Sequence, residues 1–439
     1  MTEMAGTSPT PGAGATNSGD AGGAPVVERT DLRADLAEGV APPCPHCGDE
    51  APPAPDGACT ACGTHRPALR DHVELTLGDA AAVTDRGLRR RRNEDAMELG
   101  RRVEGSGEHR VETWVAVVCD GVASARRGDE ASLAAVGAAV GAALETAAAP
   151  ATPPTGFPVV SSTHDTGPIP VVPAEGGAAP DEERAGQGRA GTGVGGELDA
   201  LATAASAAAA TAAADLGRGG GDSPACTYVA AVVRGGDAVV SWVGDSRAYW
   251  LAGDGSSRLL STDDSWAEEI AAAGIMSREE AARDRRAHVL TRWLGRDAPG
   301  GPAHARRVRL GVPGLLLLCS DGLWNHLPDP EVLARLAAPA LAGNGTPGVA
   351  VGTGVDLAAD ITAADDDPPA EGAHVVLAAA TALLAAALDD GGHDNATLAL
   401  VPVVPPADAA GRPSVAVDAR GPDERTGPIP LDGEGVVDR

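Results

Sequence analysis

Four apolar segments of this chain end or begin on a carboxylate: "VVCDG" carries Asp120, "SWVGDSRAY" Asp245, "LLLLCSDGLW" Asp321 and "GGHDNATLAL" Asp394. Asp-Gly is ordinary turn chemistry, so any one of these taken alone need do no more than start a turn. Together they pose a physical problem. An unpaired carboxylate at the edge of a buried sheet is costly unless positive charge sits beside it. The chain contains no lysine, and arginines near these positions are few. Carboxylates converging from different strands can instead share divalent cations, and hard oxygen ligands suit Mg²⁺ or Mn²⁺.

The conspicuous basic run adjoins a further acidic pair, Glu94 and Asp95, in "TDRGLRRRRNEDAMEL" at 84–99. Such a run can be a solvated charged surface. Alternatively, Arg90, five residues before Asp95, could present a planar, bidentate grip to a phosphate held near metal ions. Arginine beside metal-binding carboxylates suits phosphoryl chemistry, in which two cations about 3.5 to 4 Å apart activate a water for in-line displacement. No nucleophilic side chain is then required. Cys119, Cys226 and Cys319 each lie in or beside an apolar strand and read as small core residues.

These groups need strands to carry them. From about Val73 the chain alternates short apolar runs with alanine-rich stretches. "ELDALATAASAAAATAAADL" is a helix by propensity. "CTYVAAVVR", "AVVSWVG" and "RAYWLA", separated by "GGD" and "DS", predict an antiparallel meander. "LLLLCS" at 315–320 predicts another strand, and an apolar helix followed by "ATLALVPVV" closes the domain. Proline and glycine mark two exposed insertions, at about 149–196 and 341–371. Residues 1–40 read as a disordered leader and 404–439 as a disordered tail. "TGPIP" occurs at 166–170 and again at 426–430, either as drift within biased sequence or as a repeated short ligand.

The 439 residues are 43% hydrophobic, enough for at least one sizeable core, but only nine are aromatic, so Ala, Val and Leu must fill it. The net charge of −28 opposes binding to nucleic acid or to an anionic membrane. No signal-like start is seen at Met1, and the longest apolar runs fall short of the roughly 20 residues that span a bilayer. The expectation is a soluble, cytoplasmic protein with neither nucleic-acid nor membrane partners.

A separate motif, "CPHCGDEAPPAPDGACTACGTH", sets Cys44, Cys47, Cys59 and Cys62 as two C-x2-C pairs eleven residues apart, each pair followed by glycine. Two such knuckles can give tetrahedral thiolate coordination of one structural Zn²⁺, and a reducing compartment disfavours disulfides. Residues 41–68 therefore read as a small zinc ribbon, suited to protein contact or to a structural cap.

In chain order, "TDRGLRRRRNEDA", "VVCDG", "GDEAS", "ACTYVAAVV", "VSWVGDSRAYWL", "HVLTRWLG", "LLLLCSDGLW" and "GGHDNATLALV" resemble the motifs of the metal-dependent serine/threonine phosphatases of the PP2C, or PPM, family. The resemblance spans about 72–403 apart from the insertions. It implies an α+β, four-layer sandwich of two central antiparallel sheets flanked by helices. It implies hydrolysis of phosphoserine and phosphothreonine with two or three Mn²⁺ or Mg²⁺ ions, on phosphoproteins made by serine/threonine kinases. By the same resemblance, Asp120 would bridge two metals and the Gly121 carbonyl would bind one. Asp321 and Asp394 would complete the other site, while Glu94 and Asp95 would act through metal-bound waters. Arg90 would hold the substrate phosphate, Asp245 would serve a third metal site, and Trp266 to Leu294 would form a mobile flap.

One departure stands out. After Asp120-Gly121 many relatives carry a nearby histidine, whereas this chain reads Val-Ala-Ser-Ala-Arg-Arg, so a water must protonate the leaving oxygen. Arg126 and Arg127 read as solvated turn residues, with an approach to substrate as the alternative, and His393 reads as a surface histidine. The altered turn also motivates a rival reading, a catalytically weak scaffold that binds phosphoproteins and partners. The set of costly acids argues against it, and the acidic charge and motif order argue against a two-metal phosphodiesterase.

Overall fold

Each apolar strand of this chain has two buried faces, which explains why its sequence runs hydrophobic instead of alternating. The computed structural model describes residues 25–30, 32–33, 36, 43–44, 46–51, 58–64, 66, 68–122, 125–148, 194–219, 223–343, 371–406 and 416–417. The "TGPIP" repeats and most of the two expected insertions lie outside these residues.

Sheet I has the order β1-β4-β5-β7-β8-β12-β15, built from Val26–Arg29 (β1), Ala96–Glu104 (β4), Val111–Cys119 (β5), Tyr228–Arg234 (β7), Asp237–Val243 (β8), His304–Arg309 (β12) and Ala416–Val417 (β15). Sheet II has the order β10-β9-β13-β14-β3-β2, from His72–Leu77 (β2), Ala80–Asp85 (β3), Arg247–Ala252 (β9), Arg258–Leu259 (β10), Gly314–Cys319 (β13) and Ala396–Val403 (β14). A small ribbon pairs Ala225–Cys226 (β6) with Leu294–Gly295 (β11). All strand pairs are antiparallel.

Side-chain alternation assigns the layers. In β5, Trp114, Ala116 and Val118 enter the core between the sheets, while Val115, Val117 and Cys119 face the long helices outside sheet I. Those helices are Gly128–Ala148 (α1) and Val194–Leu216 (α2). Their buried alanines recur every fourth residue, Ala135, Ala139 and Ala143 on one and Ala205, Ala209 and Ala213 on the other. A stripe of this spacing lies on one helix face and lets backbones approach closely. In β13, Leu316 and Leu318 face the central core. Leu315, Leu317 and Cys319 face the helices Pro330–Leu336 (α6), Ala338–Gly343 (α7) and Glu371–Asp389 (α8). The result is the expected α+β four-layer sandwich. No described helix is long and apolar enough to cross a membrane.

Three sequence expectations are corrected. Within the leader expected over 1–40, Val26–Arg29 forms an edge strand against β4, where Arg29 pairs with the buried Glu98 carboxylate and Thr30 N donates to Leu99 O at 2.9 Å. A composition average over forty residues hides four that satisfy a buried charge. Within the tail expected over 404–439, Ala416–Val417 pairs with β12. Finally, β7, β8 and β9 are not a meander, because β8 pairs with β7 and β12 in sheet I while β9 pairs with β13 and β10 in sheet II. With both faces of each strand buried, nothing in the run itself says which sheet it joins.

Candidate metal centre

The crossover from β8 to β9 passes through Gly244-Asp245-Ser246 and so puts Asp245 at one end of both sheets. The antiparallel register brings the other acids to the same end. Asp120 follows β5, whose Cys119 pairs with Ala96 at the start of β4, immediately after Asp95. Asp321 follows β13 and opens a short helix, Asp321–Trp324 (α5), and Asp394 precedes β14, which pairs with β13 and β3. Arg90, Glu94, Asp120, Gly121, Asp245, Asp321 and Asp394 thus line one cleft of about 30 Å³, room for ions and water but not for a drug-sized ligand.

Two glycines are dictated by close approach. A Cβ on Gly322 would lie 2.0 Å from Asn395 O, and one on Gly121 would lie 2.7 Å from Glu94 O and 2.8 Å from Gly128 C. The first contact seats the Asp321 turn against the Asp394 turn. The second seats the Asp120 turn against Glu94 and the start of α1.

Asp95 does not line the cleft. It is fully buried behind it, where Ser320 Oγ donates to Oδ2 at 2.8 Å and Oδ1 has no hydrogen-bond partner. Burial, with the charges of Asp394 and Asp321, pushes its carboxyl up to about 7. The Asp120 carboxyl is likewise pushed well up, first by burial and then by Asp95, Asp321, Asp245 and Asp394. Burial also raises Glu94. These acids repel one another, and a divalent cation would remove the conflict.

The donor set fits such cations. It consists of the carboxylate oxygens of Glu94, Asp120, Asp245, Asp321 and Asp394 with a backbone carbonyl at Gly121, and behind them Asp95 Oδ1 is buried without a hydrogen-bond partner.

Arg90 is the half-buried member of an otherwise exposed run of four arginines. It pairs with Asp394, which holds its guanidinium charged with help from Asp321 and Asp120. The cation expected to hold phosphate is here the counter-ion of a candidate ligand. Phosphate or metal must therefore compete for that ion pair.

Several residues that the sequence reading passed over hold this geometry. Asn395 Oδ1 accepts from Glu94 N at 2.9 Å, and its Nδ2 donates to Arg86 O at 2.8 Å and Arg92 O at 2.9 Å. The half-buried Arg70 donates through Nε to Asn93 O at 2.9 Å and through an Nη to Asp95 O at 2.7 Å. Thr227 Oγ1 accepts from Asp120 N at 3.1 Å, and Thr227 N donates to Asp120 O at 2.8 Å. Adjacency to Asp394 was the only sequence signal for Asn395, and Arg70 and Thr227 had none.

Other expected positions fall as follows. Cys119, Cys226 and Cys319 are buried, and burial raises the Cys119 and Cys319 thiols, consistent with inert core residues. Arg126 and Arg127 are exposed, with Arg127 paired to Glu130. His393 is exposed and stacks on His326 with ring centroids 5.4 Å apart. The expected flap contains two short helices, Trp266–Ala272 (α3) and Arg278–Ala282 (α4), and brings Leu290 to the cleft.

In the cysteine motif, the sulfurs of Cys44, Cys47, Cys59 and Cys62 lie within 4.8 Å of one another. The closest pairs, Cys44 with Cys62 and Cys47 with Cys59, are 3.6 Å apart, against about 3.8 Å between sulfurs around a tetrahedral zinc. Both knuckles fold alike. Cys44 N donates to Asp49 O and Gly48 N to Cys44 O, while Cys59 N donates to Thr64 O and Gly63 N to Cys59 O. Hydrogen bonds from Thr64 draw the Cys62 thiol down to about 6, whereas Cys47, despite a backbone hydrogen bond from Asp49, is pushed up to about 12 by Cys62 and burial, and burial raises Cys59, so the four thiols share their protons unequally.

Residues 89–351 match the family described as Protein phosphatase 2C. Over 106 residues the chain is 37% identical to the serine/threonine phosphatase stp of Listeria innocua, a match covering 24% of this chain and 41% of that protein. The chain thus spans about two fifths of the length of the curated relatives it matches first. Among solved structures, it is similar to Stp1 of Staphylococcus aureus (19% identity, TM-score 0.47, covering 76% of this chain and 98% of that one). It is also similar to PstP/Ppp of Mycobacterium tuberculosis (19% identity, TM-score 0.45, covering 74% and 98%).

Proposed function

Because the chain belongs to the protein phosphatase 2C family, matched over residues 89–351, we propose that it hydrolyses phosphoserine and phosphothreonine in proteins with a water activated by Mn²⁺ or Mg²⁺. The observation that carries this reading is the convergence of Asp120, Asp245, Asp321 and Asp394 from four chain segments on one small cleft that also holds Arg90. Asp120, the Gly121 carbonyl, Asp321 and Asp394 would hold two cations. Asp245 would serve a third, with Glu94 at the cleft and Asp95 behind it acting through waters. Bound there, the cations would supply a water of lowered pKa and offset charge on the transferring phosphoryl group.

The chain's own residues do the positioning. Arg90 swings from Asp394 to the phosphate and neutralises its charge. Asn395 fixes the Arg86–Glu94 loop that carries Arg90. No histidine lines the cleft among the described residues, so the leaving oxygen takes its proton from solvent.

Within this reading, 72–403 is the catalytic domain and 41–68 a ribbon in which Cys44, Cys47, Cys59 and Cys62 hold one structural Zn²⁺. The substrates are phosphoproteins made by serine/threonine kinases in the cytoplasm, and the charge of −28 disfavours nucleic acid. Phosphate release from a phosphothreonine peptide, with Mn²⁺ and with excess chelator, tests the proposal beside Asp321→Ala. Release should require metal and fall by about 100-fold or more in the variant, since even outer-shell partners of a metal are worth 10- to 100-fold. Metal-independent release, or a variant with normal turnover, would refute it.

A further inference from the structure

Beside the carboxylate cleft lies a larger cavity of about 310 Å³, at the lower end of the size of small-molecule sites. Ala210 and Ala214 of α2, Val243 of β8 and Leu294 of β11 give it apolar walls. Its polar equipment consists largely of donors. Arg292 donates to Pro302 O at 2.6 Å, contacts His304 Nε2 at 2.7 Å and forms a loose ion pair with the buried Asp264, whose Oδ1 lies 3.7 Å away, so an anionic guest would share this guanidinium. Trp293 also lines it, and Gly300 and Gly301 form an exposed rim. Among the described residues no Asp or Glu lines the cavity. Apolar walls, an aromatic ring and a guanidinium, with no carboxylate among the described lining residues, suit one class of guest.

We propose that this cavity binds a small anionic amphipathic molecule, a carboxylate or sulfonate on a compact apolar body, and that its occupancy acts on the metal cleft. The path between the sites is short. Leu294 and Gly295 pair with Cys226 and Ala225. Cys226 bridges to Gly121, and Ala225 O accepts from Val122 N at 3.0 Å. A guest that shifts β11 therefore shifts the Asp120-Gly121 turn through one two-residue strand. The binding half stands on the cavity alone, and the coupling half rests on the phosphatase reading.

The test uses the full chain and 8-anilinonaphthalene-1-sulfonate as probe, followed by its fluorescence and by energy transfer from tryptophan. Saturation at about one probe per chain is expected. Ala214→Trp fills the cavity and should weaken binding about 10-fold or more. Arg292→Gln removes the charge and should weaken it by about 10-fold, as for a charge-assisted hydrogen bond. Circular dichroism establishes that each variant is folded, and Arg292→Gln decides the matter if Ala214→Trp is not. Absent saturation, or binding unchanged in the folded variants, overturns the site. For coupling, hydrolysis of p-nitrophenyl phosphate with Mn²⁺ should change at least about 2-fold on probe saturation in the wild type and not in Ala214→Trp. An unchanged rate overturns the coupling, whereas no hydrolysis with or without probe counts against the phosphatase reading and leaves the binding result standing.

Discussion

Asn395→Ala isolates what holds the cleft together without touching an expected metal ligand. Asn395 is 5% exposed and makes three side-chain hydrogen bonds, to Glu94 N, Arg86 O and Arg92 O, which pin the loop carrying Arg90. At a net ~1 kcal/mol per bond, truncation costs about 3 kcal/mol, and more if the abandoned backbone groups stay dry. For a domain of this size that is a fall of roughly 6 to 12 °C in Tm. Asn395→Asp is the informative partner. It keeps an acceptor for Glu94 N but, when ionised, presents a carboxylate to two carbonyl oxygens beside Asp394, so it should cost at least as much as Ala. Urea unfolding of chelator-treated protein gives both numbers. Turnover of a phosphopeptide with Mn²⁺ should show a raised KM in both variants, because the Arg90 loop is no longer held. A loss below about 1 kcal/mol in Asn395→Ala, or near-wild-type stability in Asn395→Asp at neutral pH, would refute the assignment of these bonds as the clamp.

Three further outcomes are expected. Gly322→Ala forces a Cβ to 2.0 Å from Asn395 O, so the Asp321 and Asp394 turns must part; Mn²⁺ affinity measured by calorimetry should fall about 10-fold or more, and an unchanged affinity would show that the turns can flex. In metal-free protein, Asp95 is held near 7 by burial, well above the unfolded value near 3.8, so the native state binds more protons and stability falls as pH rises through that window. Asp95→Asn should flatten this dependence and stabilise the chelated protein at pH 8, by on the order of 1 to 4 kcal/mol, as read by thermal unfolding at several pH values; an unaltered slope would sink the assignment. For the ribbon, metal analysis should find about one zinc per chain, lost in Cys62→Ser, and a folded chain without zinc would remove the site.

Residues near one another in sequence were legible. A strand that runs into Asp-Gly, a pair of C-x2-C knuckles and an apolar helix are each written within about twenty residues, and Asp120, Asp321, Asp394 and the four cysteines were singled out that way. Asp245 was singled out on the same signal, although its sheet-to-sheet crossover was read as a hairpin of a meander. Contacts distant in sequence carried no such mark. Arg90 meets Asp394 across 304 positions, and Asn395 meets Glu94 across 301. Neither Asn395 nor Arg70 looks different in sequence from any other surface polar residue.

By itself, then, the sequence determined several of the apolar strands and helices and which of their ends carry acids or thiols, because hydrophobic period, turn chemistry and ligand spacing act over a few residues. Only the tertiary structure decided that β8 and β9 belong to different sheets, that Val26–Arg29 joins the fold, and that Asp95 sits behind the cleft. It also decided that Arg90 rests on Asp394. A strand buried on both faces gives no local preference for its neighbours. The pairing, and with it the place where separate carboxylates meet, is settled only when the two sheets close on a common core.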